Sequence, residues 1–120
     1  MPEEPTIVIF RKWKSSEHIS GLGDIIALFP ELPADIGASC ASFEHFGQHG
    51  AADYNSVIRR TVPATPEEYA DLKAELEGPN YGYILTILKR AHWKHHLARQ
   101  TALDKYRRQA HSEPSPQLGA

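Results

Sequence analysis

Thr65-Pro66-Glu67-Glu68-Tyr69-Ala70-Asp71-Leu72-Lys73-Ala74-Glu75-Leu76-Glu77, closed by Gly78-Pro79, carries every signal of a short helix. Thr65 can cap the first turn with its hydroxyl. Pro66 loses nothing at the first helical position, where the N–H is unpaired anyway. Glu68, three residues after Thr65, can complete a capping box. Glu67, Glu68 and Asp71 meet the positive end of the helix dipole. Gly78 is expected to supply a left-handed exit, and Pro79 forbids continuation. Tyr69, Leu72 and Leu76 form one apolar stripe, with Ala70 and Ala74 beside it. Such a stripe needs a sheet or another helix to cover.

The rest of the chain supplies strands. Residues 6–14, TIVIFRKWK, are β-branched and aromatic, and their continuous first half predicts burial on both faces. A loop over 15–23 leads to a second strand at 24–29, stopped by Pro30 and Pro33; the two are expected to pair as a hairpin. After a turn-rich crossing at 31–37, a weaker strand is read at 38–46 and a turn at 47–50. Alternation over 54–62 predicts a fourth strand ended by Pro63. Tyr83-Ile84-Leu85-Thr86-Ile87-Leu88 reads as a fifth strand. Ile84, Ile87, Leu88, Ala91, His95, Ala98 and Ala102 also fit one long helix, but β-branched content and the break from Gly78 to Gly82 favour the strand. Residues 91–110 lack Gly and Pro and read as helix. The end, 111–120 with Pro114 and Pro116, is expected to be a disordered tail. The expectation is a single α+β domain over 1–110: a mostly antiparallel sheet of four or five strands, covered by helix 65–77, with a basic C-terminal helix.

Length and composition bound the function. The 120 residues suit one domain, and 41% hydrophobic with 23% charged residues is globular rather than disordered. Cys40 is the sole cysteine, so no internal disulfide is possible, and a reducing compartment fits. No apolar run approaches the roughly 20 residues that span a bilayer, and the acidic, proline-rich start is no signal peptide. The expected setting is cytoplasmic, away from membranes. Charge is uneven: residues 1–88 hold six Lys/Arg against thirteen Asp/Glu, a balance of −7, while residues 89–120 hold seven against two, a balance of +5.

Two constellations carry chemistry. In the first, His45, His49 and Asp53 are the residue types that ligate zinc or a related divalent metal, with Glu44 as a general base and Cys40 near in sequence. Gly47 and Gly50 argue against the helix that would align them at spacings of four. Without an H-E-x-x-H pattern the competing reading is a hairpin turn. In the second, Lys89, Arg90, Trp93, Lys94 and Arg99 interleave cations with an aromatic ring. That pattern suits a protein partner, a second subunit or nucleic acid, or a plain helix whose basic end complements the acidic body. Arg59 and Arg60, on the expected fourth strand, are anion-contact candidates, of which at most one faces the covered side. No nucleophile elbow is present, and Gly21-Leu22-Gly23 precedes a strand instead of following one, so it is not a nucleotide fingerprint.

Two stretches, 43–54 (FEHFGQHGAADY) and 58–61 (IRRT) followed by 64–69 (ATPEEY), resemble small bacterial proteins of plasmids, phages and other mobile elements whose function is uncharacterised. The resemblance covers about residues 6–90. It implies a bacterial accessory protein and brings no activity, cofactor or site residue. The reading is therefore a non-enzymatic protein-binding module, expected to be a homodimer with no cofactor. The alternatives are a nucleic-acid-binding protein using the basic helix and a metal enzyme using His45, His49 and Asp53.

Overall fold

β1, Thr6–Trp13, is the strand on which the others assemble. The computed structural model describes residues 4–14, 25–34, 39–44 and 48–112. Along them follow β2 (Ile25–Pro33), β3 (Cys40–Glu44), β4 (Gln48–Ala52), α1 (Tyr54–Arg60), β5 (Thr61–Pro63), α2 (Pro66–Glu77), β6 (Leu85–Leu88) and α3 (Trp93–Ser112). One edge of β1 pairs antiparallel with β2, Ile9 opposite Leu28. From there the sheet continues antiparallel through β3 to β4. The other edge is shared. Its C-terminal half pairs antiparallel with β5, Lys12 opposite Val62, and its N-terminal half pairs parallel with β6, Val8 opposite Ile87. The architecture is α+β, with one more strand than expected.

Residues alternate across a strand, and in β1 both sets are buried. Val8 and Phe10 join Ile25, Ala27, Phe29 and Phe43 on the face that Leu72 and Leu76 of α2 cover. On this face each of three strands offers a phenylalanine to a tyrosine. Phe10 stacks on Tyr69 at 4.3 Å, Phe29 on Tyr83 at 5.3 Å, and Phe43 meets the edge of Tyr81 at 5.2 Å. Burial pushes the Tyr83 hydroxyl's pKa up, with Tyr81 adding to the effect. Ile9, Trp13, Ile26, Leu28 and Cys40 lie on the other face, against Tyr54 and Val57 of α1. α3 crosses the same face over β2. Both faces are covered, each by its own helices.

The α2 capping box is present: the Glu68 N–H donates to Thr65 Oγ1 at 3.3 Å, and the Thr65 N–H to Glu68 Oε1 at 2.9 Å. Gly78 corrects an expectation. Its φ of −74° is extended, and its N–H bonds Glu75 O. A Cβ there would stand 3.2 Å from Ala74 O, so glycine serves close approach. The left-handed residue is Gly82, at φ 67°.

Three further expectations change. Residues 54–62 are not one strand: Tyr54, Val57 and Ile58 stand at helical spacing, and α1 lays them on the sheet. β-branched residues at 57, 58, 61 and 62 make either period readable. Residues 48–50 belong to β4, so the turn read at 47–50 does not hold for them. β2 runs past Pro30 to Pro33 through a register shift between Phe29 and Pro33, which is how the ladder absorbs a residue without an N–H. The 83–88 segment is strand at Leu85–Leu88, and the C-terminal helix reaches Ser112. The 15–23 loop, residues 35–37 of the crossing and residues 113–120 of the tail lie outside the described residues.

Candidate functional site

α3 is pinned to the sheet by its inner side, which determines what its outer side presents. His95 and Leu103 are buried, and His96 and Arg99 are half-buried between them along the helix. Arg99 Nη1 donates to Pro30 O at 2.6 Å, reaching the carbonyl that the β2 irregularity leaves available. It also lies 3.0 Å from His96 Nδ1. At the start of the helix, the Ala91 N–H donates to the Tyr54 hydroxyl at 2.8 Å and the His92 N–H to His95 Nδ1 at 2.9 Å. The edge of His96 packs against the Tyr54 ring, 4.7 Å between centroids. Burial, then Arg99 and His95, hold the His96 imidazole below its usual pKa of 6.5.

The outer side at the same end is apolar and cationic. Trp93 is 75% exposed and Leu97, one turn on, is 55% exposed. Lys94 lies beside them, and Lys89 and Arg90 precede them in the bend between β6 and α3; all three are exposed. None of the described carboxylates forms an ion pair with these three cations. Large exposed apolar side chains ringed by polar ones mark interaction surfaces when they stand together.

The structure divides the cationic candidates. Lys89, Arg90, Trp93 and Lys94 share this end of the molecule, whereas Arg99 turns inward as a structural anchor. Arg59 and Arg60 sit in the last turn of α1 and not on a strand. The Arg60 guanidinium lies 5.3 Å from the Trp13 ring centroid, and Arg59 offers its carbonyl to Lys14 Nζ at 3.3 Å. Both help close α1 on the end of β1. Leu97 was not among the sequence candidates; its spacing of four from Trp93 was the available signal.

The metal constellation fares differently. His45 lies outside the described residues, and for His49 the backbone places it in β4 opposite Phe43. Asp53 precedes α1 as its N-cap residue. Glu44 accepts the Trp13 indole N–H at 2.8 Å. Cys40 is fully buried, its thiol pKa pushed up by that burial. Among the described residues no group of three His, Cys, Asp or Glu side chains could hold a metal ion.

No protein-family model, curated protein or solved structure matches this chain. Among the described residues no helix is long and apolar enough to cross a membrane.

Proposed function

We propose that this protein is a non-enzymatic binding protein whose partner is another protein with an acidic, partly apolar surface. Exposed Trp93 and Leu97, one helical turn apart and bordered by Lys89, Arg90 and Lys94, carry the reading. Tryptophan and arginine dominate the energetics of protein interfaces, and a rim of cations selects an acidic partner and speeds encounter. The same cations around Trp93 would suit a single-stranded nucleic acid, in which the ring stacks on a base. Leu97 offers a base no stacking surface but suits the apolar part of a protein surface, so protein is favoured.

The test compares the full-length chain with the double variant Trp93→Ala, Lys94→Glu in affinity capture from the source cells, followed by binding to the purified captured protein. A partner held by the wild type and released by the variant, with far-UV circular dichroism unchanged, supports the reading. Equal binding by both overturns it. Captured nucleic acid, with affinity falling steeply as salt rises, moves the assignment to the nucleic-acid reading.

A further inference from the structure

Because β1 shares one edge between two strands of opposite direction, the sheet is interrupted where they approach each other. β5 leaves the sheet at Pro63, opposite Arg11, and β6 ends at Leu88, opposite Ile9. Phe10 lies between those two registers, and its carbonyl accepts the Ala64 N–H at 3.2 Å. Among the described residues no side chain fills the gap. A cavity of about 270 Å³ opens there, lined by Phe10, Pro63, Ala64, Pro66, Tyr69 and Ile87, with Leu88 and Lys89 completing it.

The walls are stiff and mostly apolar. Phe10 and Tyr69 are locked in a stack at 4.3 Å. Pro63 and Pro66 are fixed in φ by their rings. Such preorganisation lowers the entropic cost of binding. Two cations are relevant to its charge. Lys12 is committed to Glu68 of α2 at 2.6 Å. Lys89 lines the cavity, is exposed, and pairs with none of the described carboxylates. An ammonium unpaired among the described residues, beside an apolar, aromatic-walled slot, is the pattern of a site for a small molecule with an apolar body and a single negative charge.

We infer that the cleft between β5 and β6 is a binding site for a small aromatic or aliphatic monocarboxylate, its apolar body against Phe10 and Tyr69 and its carboxylate at Lys89. The volume is below that of sites for drug-sized ligands, so the ligand is small. The inference does not depend on the partner surface of α3, although Lys89 lies near both.

The experiment is titration of the uniformly ¹⁵N-labelled full chain with 3-phenylpropionate and, separately, with its uncharged amide. Saturable shifts of the Phe10, Ala64, Tyr69 and Ile87 amides are expected with the carboxylate at millimolar concentration, and weaker ones with the amide. Lys89→Met, an exposed change, should weaken carboxylate binding by about threefold to fivefold and leave amide binding unchanged. Ala64→Leu should fill the slot and abolish both, while Trp93→Ala should alter neither. Absence of saturable shifts, equal affinity for carboxylate and amide, or binding that persists in a folded Ala64→Leu chain would overturn the assignment. If Ala64→Leu does not fold, the Lys89→Met comparison decides alone.

Discussion

A guanidinium buried on a sheet face must find oxygens for its donors, or it destabilises the fold. Arg11 finds them at the end of α1. Its Nε donates to Thr61 Oγ1 at 2.8 Å, and its Nη2 to Ile58 O at 3.1 Å and Thr61 O at 2.9 Å. Thr61 Oγ1 in turn donates to Val57 O at 2.7 Å. The cation thus sits at the negative end of the α1 dipole. Burial lowers its pKa and nearby Tyr54 offsets part of that, yet an arginine keeps its proton in any ordinary buffer. Arg11→Met should leave those carbonyls under-satisfied and lower stability by about 2–3 kcal/mol, read as a reduced urea midpoint at unchanged slope. Lys12, on the opposite face in a half-exposed pair with Glu68, is the internal comparison. Lys12→Met should cost less than about 1 kcal/mol. From sequence, Arg11 and Lys12 are two cations in a strand; their different weights follow from partners some fifty residues away.

Elements differ in how far local chemistry decides them. α2 was legible because its cap, dipole, stripe and stop all lie within fifteen residues. Thr65→Ala should destabilise by about 1 kcal/mol, as loss of a cap does, and Leu76→Ala by about 2–5 kcal/mol, because Leu76 is fully buried. Equilibrium denaturation of each single variant checks both values. α1 was not legible. Its β-branched residues suit a strand, and only tertiary packing of Tyr54 and Val57, with Arg11 at its end, selects helix. α3 was legible as a helix, but its sidedness was not, because Arg99 looks like any surface cation until Pro30 O is beside it. Its docking should depend on pH. His96 Nδ1 faces the Arg99 guanidinium, which always donates, and among the described residues His95 and Tyr54 also stand beside it. The folded state therefore holds His96 neutral, and the unfolded chain binds the proton more readily. Stability is full above the unfolded value of about 6.5 and declines as pH falls below it toward the lower folded value. Hydrogen exchange of the α3 amides should speed up on acidification before that of β1, and His96→Phe should reduce the effect.

At the scale of the molecule, the basic and acidic halves of the sequence become a basic helix on one sheet face and an acidic helix on the other. α2 carries five acidic residues and one lysine on the face opposite α3. The charge asymmetry was readable in the sequence, but the separation by a sheet was not. The exposed Trp93 surface should contribute almost nothing to the fold. Trp93→Ala should change stability by less than about 0.5 kcal/mol while removing partner binding, a contrast that thermal melts and binding assays on one sample would show.

The shared edge of β1 also sets an order of events during synthesis. β1 cannot complete its pairing until Leu85–Leu88 leave the ribosome, because β6 runs beside it. The hairpin of β1 and β2 can form early, but half of the opposite edge then waits open through some fifty further residues. Long-range parallel pairing of this kind is slow and leaves an exposed edge prone to wrong partners. A nascent chain stalled before residue 85 is therefore the species most in need of a chaperone, and the arrival of four residues ends that need.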